Sequence, residues 1–140
     1  MREPLSYDIA HRAAEAALAA ARAEGARVCV VVANRSGDMK VLLSADGAGR
    51  IALETARRKA YTAAVMGMSS TALAALAADQ TMAAIKLDQV DSELLPVAGG
   101  HPILVEDRER IGGIGVSGAH GDADDRLAEE GLKAIASLLA

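Results

Sequence analysis

Apolar positions recur every three or four residues over much of the chain, interrupted by short unbroken runs of branched residues. The first helical stretch opens after Ser6, a hydroxyl suited to capping, and runs to about Glu24, where Gly25 closes it. Its stripe is Ile9, Ala13, Ala16 and Ala20. "RVCVVVAN" (27–34) then reads as a strand, because a run of valines favours the pleated backbone and an unbroken apolar run suits burial on both faces. "NRSGD" makes a turn, and "MKVLLSA" (39–45) is the returning strand of a hairpin. After "DGAG", helical spacing resumes from Arg50 to Met68 through Ile51, Leu53, Ala56, Ala60 and Ala64. Ser69 or Ser70 caps a short helix to about Ala78, and residues 81–98 read as a helical turn followed by a short strand before Pro96. "PILVE" and "RIGGIGVSG" form a second hairpin around "EDRER". Asp122 to Leu139 is a final helix with the stripe Ala128, Leu132, Ile135 and Leu139, and its first turn carries Asp122, Asp124 and Asp125, where the helix dipole favours negative charge.

The predicted order is α-β-β-α-α-β-β-β-α. Hairpins set between helices imply an α/β (α+β) fold with a mostly antiparallel sheet and helices packed on it. No internal repeat or linker interrupts the chain, so residues 1–140 are expected to form a single domain. Apolar residues make up 51% of the chain, yet Phe and Trp are absent and alanine supplies much of the count. Small side chains each bury little area, so part of the stability is expected from subunit contacts in a homo-oligomer. A net charge of −4, with no basic patch interleaved with aromatics, argues against nucleic acid. The single cysteine, Cys29, reads as a small buried hydrophobe. The N-terminal "MREPLSYDIAHR" has no apolar segment behind its charge, and no run reaches the roughly 18 apolar residues of a membrane span. The expected setting is cytoplasmic, away from membranes.

Gly113, Gly115 and Gly118 spell G-x-G-x-x-G, the fingerprint of a dinucleotide-binding turn. That turn requires a further parallel strand ending in an acid about 20 residues on. Only 22 residues follow Gly118, the last helix uses them, and three aspartates crowd the place where a pyrophosphate would sit. The motif therefore does not predict NAD or FAD. Glycines in a strand also mark the close approach of a backbone or a ligand. Gly112, Gly113, Gly115 and Gly118 would thus admit either a tightly packed helix or a flat ligand.

Candidate chemistry is sparse. His101, in "AGGHP", is the first candidate for an acid/base or a metal ligand, and His120, in "SGAHGD", is the second. Their loops lead into and out of the second hairpin on opposite sides. They are expected to meet only if the strands differ in length or a neighbouring subunit supplies one of them. His11, on the first helix, reads as inert. No zinc spacing is present. Ser117 in "GVSGA" lacks the last glycine of a nucleophile elbow and reads as a hydrogen-bond donor in a pocket. Gly99, Gly100 and Gly118 would give a ligand access to the backbone, and Asp122 with Asp124 could face it. The basic run Arg57-Arg58-Lys59 reads as a solvated helix face from which Arg58 or Lys59 could hold a carboxylate. Tyr61 reads as a core or interface residue.

Taken together, the alanine-rich first helix, "VCVVVANRSGDMKVLLSADGA", "ARRKAYTAAVMGMSS" and "VAGGHPILVEDRERIGGIGVSGAHGDADDRLAEEGL" resemble the GlcG/HbpS-like proteins, the haem-degrading domain family to which the PduO C-terminal domain also belongs. The resemblance runs from about residue 5 to 138, and "ARRKAYTAA" and "GG-x-P…GGIGVSG…D" are its most specific parts. It implies a profilin-like domain with a five-stranded antiparallel sheet flanked by helices, assembling as a dimer that often forms tetramers or octamers. It also implies haem binding in some members and links to corrinoid or glycolate metabolism in others. The chain departs from the family pattern at Asn34, where members usually have aspartate, and at Ser44 and Ala45, where they often have arginine. Those departures imply a changed ligand or a lost salt bridge.

The leading reading is a small oligomeric ligand-binding protein that takes haem or a related tetrapyrrole beside the "AGGHP" and "GVSGAHGD" loops, with His101 as the axial ligand. The scarcity of aromatics weighs against it, because haem pockets often stack on them. A competing reading is a cofactor-free lyase or isomerase acting on a small organic acid, in which His101 moves a proton and Arg58 holds the carboxylate. A third is a structural or regulatory assembly partner with no pocket chemistry.

Overall fold

Residues 4–139 are described in a computed structural model; the first three residues of the charged N-terminal segment, and Ala140, lie outside them. The elements are α1 (Tyr7–Ala23), β1 (Cys29–Asn34), β2 (Met39–Ser44), α2 (Arg50–Met66), α3 (Ser70–Ala78), α4 (Gln80–Ala83), α5 (Leu87–Val90), β3 (Gly100–Val105), β4 (Glu109–Ser117) and α6 (Gly121–Ile135), followed by a 3₁₀ turn at Ala136–Leu138. The caps are those the sequence calls for. Ser6 accepts from the Ile9 amide at 3.2 Å, and Ser69 does the same for Ala72 at 3.0 Å. Asn34 accepts from the amides of Ser36 and Asp38, each at 3.0 Å, which holds the β1–β2 turn. An aspartate would make the same two bonds, so at this position the amide suffices for the turn.

The sheet runs β2-β1-β4-β3, and every pair in it is antiparallel. It has four strands, not the five that the resemblance implies, and the strand expected before Pro96 does not form. Residues 91–97 are held by side chains of α2 instead of by a neighbouring strand. Arg58 donates to the carbonyls of Ser92, Glu93 and Leu94, at 2.6, 3.2 and 3.2 Å, and Thr62 accepts from the Leu95 amide at 2.8 Å. With its backbone satisfied in this way, the segment has no need of a ladder.

Central β1 is buried on both faces, as its unbroken apolar run requires. Alternate residues sort to opposite sides of the sheet. Val28, Val30 and Val32 join Ile114, Val116 and Ile103 beneath α1 and α6. Cys29, Val31 and Ala33 face Ala56, Ala60 and Ala64 of α2. The α1 contact stripe is Ala10, Ala13, Ala14, Ala17 and Ala21, one position on from the expected Ile9–Ala16–Ala20 line, because the smallest side chains let α1 and α6 close on each other. Ile51, expected in the α2 stripe, is 75% exposed. Among the described residues no single helix is long and apolar enough to cross a membrane.

The glycine run now has its explanation. On β4, residues 114 and 116 face α1 and α6, so Gly113 and Gly115 face α2. A Cβ at Gly113 would lie 2.6 Å from both the Ala60 carbonyl oxygen and the Ala64 nitrogen, and one at Gly115 would strike the Ala56 carbonyl and the Ala60 nitrogen. The close neighbour is therefore a helix and no ligand: G-x-G is period-2 alternation beneath a helix backbone.

Backbone cannot yield as a flexible side chain can. Gly113→Ala should lower the unfolding free energy by about 3 kcal/mol in urea denaturation. Gly121→Ala, where only the Ala98 side chain comes within 4 Å of the new methyl, should change it by less than about 1 kcal/mol. Equal effects at the two sites would contradict the close-packing account.

Candidate functional site

His101 lies in strand β3, not in a loop, opposite Ile114 of β4. The start of β3 and the end of β4 lie at the same end of the hairpin, contrary to the expectation that their loops diverge: the Val116 amide donates to the Gly99 carbonyl at 2.9 Å. The two histidines still do not meet. His120 is the exposed N-cap of α6 and makes no side-chain capping bond. Asp122 is exposed on the first turn of α6.

Other residues singled out from the sequence serve the protein's interior. Ser117 is buried, with its hydroxyl 2.6 Å from that of Thr55 on α2. Gly100 leaves room for the Lys59 carbonyl and Gly118 for the Arg27 carbonyl, each 2.5 Å from a would-be Cβ. Gly99 and Gly118, at φ +124° and +123°, hold backbone conformations that residues with a side chain rarely adopt. Arg58 is occupied by the three carbonyls described above.

The basic run on α2 is not a solvated face. Arg57 bridges Glu54 and Glu93, which raises its pKa, chiefly through the Glu54 hydrogen bond, and the same bond lowers that of Glu54. Tyr61, one turn on, donates to Asp91 at 2.5 Å, and that bond raises the phenol's pKa. Lys59 points into the core at 3% exposure. Its Nζ lies 3.1 Å from Asp124 Oδ2 and 3.0 Å from the Val116 carbonyl, while Asp124 Oδ1 accepts from the Ala119 amide at 2.9 Å. Two charges buried with every polar atom bonded satisfy the condition for placing an ion pair inside a protein. The available signal was the spacing: Lys59 sits among Ala56, Ala60 and Ala63, all of them buried.

That pair sets the rotation of α6, and the next residue, about 100° round the helix, is Asp125. Asp125 Oδ1 lies 2.9 Å from His101 Nε2, and Glu129 Oε1, one turn further along, lies 3.9 Å from the same nitrogen. Asp125 and Glu129 share a face because they are four residues apart. The sequence reading placed Asp125 only as a helix-end charge and did not reach Glu129; the i, i+4 pair of acids was the signal. A hydrogen-bonded carboxylate orients an imidazole, and such a pair can transfer a proton or ligate a metal. His101 also lines a groove of about 520 Å³ with Pro102, Leu104, Leu132, Ala136 and Leu139, and with Glu106 and Asp107. This is a solvent-open, mostly apolar surface with a few polar groups, as small-molecule sites tend to be.

The family described as "Haem degrading protein HbpS-like" matches residues 5–133. No curated protein matches. A crystal structure of a Glu-to-Asp double variant of HbpS from Streptomyces reticuli superposes with a TM-score of 0.83 at 36% identity, covering 97% of this chain and 87% of that one. A structure described as a PduOC:heme complex gives a TM-score of 0.84 at 25% identity, with 94% of each chain covered. The Klebsiella pneumoniae protein ORFY, at 21% identity and a TM-score of 0.86 over 95% of this chain and 91% of that one, shares the fold.

Asp124→Asn preserves shape but leaves Lys59 buried without its counter-charge. It should cost about 3–5 kcal/mol in denaturant unfolding. A loss below about 1 kcal/mol would mean that the pair does not hold α6 to the sheet.

Proposed function

The chain belongs to the HbpS-like family of haem-degrading proteins, and from that premise we propose that it binds a tetrapyrrole, haem first, in the groove between β3 and α6. The observation that carries this reading is His101 at the edge of that groove, with one ring nitrogen hydrogen-bonded to Asp125. The carboxylate–imidazole arrangement is that of ligating histidines in metal sites generally. The groove suits the group in part. Pro102, Leu104, Leu132, Ala136 and Leu139 would cover an apolar face, and His101 would supply the ligand to the iron. Glu106 and Asp107 repel carboxylates, so the propionates would have to point to solvent, which an open groove allows. Among the described residues no aromatic ring lines it, and the aliphatic side chains would take that role. The bound iron would supply the redox chemistry; the chain would orient the imidazole and exclude water from one face. Haem in a solved relative also supports the reading. The working unit is proposed to be a homo-oligomer, a view favoured by Tyr7, Ile51 and Val90, which leave more than half of their surfaces exposed at 61%, 75% and 71%.

The His101–Asp125 pair also favours a second reading, general acid–base catalysis on a small organic acid. It lacks one part expected from the sequence, since Arg58 is engaged with backbone carbonyls and does not face this groove.

Haemin titration followed at the Soret band separates the two. A saturable one-to-one shift is expected, lost in His101→Ala, weakened about 10- to 100-fold in Asp125→Asn, and kept in His120→Ala and His11→Ala. No shift, or the same shift in all five proteins, would retire the haem reading and favour turnover assays on organic acids.

A further inference from the structure

Beyond the groove, the cluster formed by His101, Asp125 and Glu129 has the make-up of a metal centre in its own right. One ligand atom from each residue comes within 4.8 Å of the others. Donors around a four-coordinate ion at about 2.1 Å stand about 3.4 Å apart. The observed separations from His101 Nε2, 2.9 and 3.9 Å, bracket that spacing, so small side-chain adjustments would close the set. Both carboxylates come from one face of α6 and the imidazole from the rigid edge of the sheet. Two elements already held together by the core therefore supply the donors.

Charge points the same way. Asp125 and Glu129 are two acids beside an imidazole that can offer their side at most one proton from Nε2. The neighbouring cations of α6 are engaged elsewhere, Arg126 with Glu24 and Lys133 with Glu130. The cluster thus gathers negative charge with no basic side chain of its own helix to offset it, on partly exposed atoms that an ion can reach from solvent.

We propose that His101, Asp125 and Glu129 bind a divalent transition-metal ion, with water completing its coordination. The mixed imidazole and carboxylate donors select Mn²⁺, Fe²⁺, Co²⁺ or Zn²⁺ over Mg²⁺ and Ca²⁺, which prefer all-oxygen sites. The site needs no tetrapyrrole. It shares His101 with the haem reading but adds Glu129, which lies outside the groove lining.

The test is titration of the chelator-treated full chain with Co²⁺, read from its visible absorption, and with Zn²⁺ by calorimetry. One equivalent is expected to bind, with at least tenfold weaker affinity in His101→Ala, Asp125→Asn and Glu129→Gln and no change in His120→Ala, whose exposed side chain lies outside the cluster. Excess Mg²⁺ or Ca²⁺ should not displace the ion. Circular dichroism would confirm that each variant is folded, and Glu129, being exposed, is the safest of the three to replace. Glu129→Gln also separates the two readings, since it should weaken Co²⁺ while leaving the haemin titration unaltered. Binding that is absent, or equal in the wild type and all three ligand variants, would overturn the proposal.

Discussion

The structure depends on the seating of α2 directly on strand β4, backbone against backbone. Gly113 and Gly115 present no side chains to α2, and Ala56, Ala60 and Ala64 present only methyl groups. A helix and a strand brought this close exclude water from each other's backbone and gain dispersion contacts that larger side chains would prevent. The chain has no Phe or Trp, so close approach does the packing that bulk does elsewhere. The same seating carries Ser117 to Thr55 and lowers Lys59 to where its ammonium reaches across the end of β4.

From there the order of dependence runs outward. Lys59 meets Asp124, and Asp124 also holds the Ala119 amide at the turn into α6. This fixes the helix both in position and in rotation, and α6 then lies over the opposite face of the sheet on Leu127, Ala128 and Ile135. With the rotation set, Asp125 and Glu129 can only point toward the β3 edge, where His101 stands. A candidate site on the surface is thus positioned by an ion pair in the core. Loss of the core pair would be felt at His101 without any change in the site's own residues.

The other half of the basic run organises the long connection between α3 and β3. Arg57, Arg58 and Tyr61 hold Glu93, the 92–94 carbonyls and Asp91, while Thr62 takes the Leu95 amide. Side chains of one helix thereby replace the hydrogen-bond ladder that a fifth strand would have supplied. This connection leads directly into Gly99 and Gly100, so the same anchors set where β3 begins and where His101 falls on it.

Much of the fold was legible from local rules. Ser6 and Ser69 as caps, Gly25 as a terminator, the two hairpins and the doubly buried β1 follow from capping chemistry, turn residues and hydrophobic period, which act over a few neighbouring residues. The objection to the dinucleotide fingerprint was also legible, because Asp122, Asp124 and Asp125 crowd the helix start where a pyrophosphate would sit. The burial of Lys59 was not, since a lysine's partner 65 residues away leaves no mark in its own helix. Nor was the role of Asp125 and Glu129, which depends on how far α6 is turned. The glycine strand was open between helix and ligand until the packing of α2 decided it. The sequence by itself determined where helices and strands begin, end and alternate, because those are contests between near neighbours. Only the tertiary structure decided which charges are buried, which acids face the histidine and how many strands the sheet holds, because each turns on groups that meet solely through the packing of distant segments.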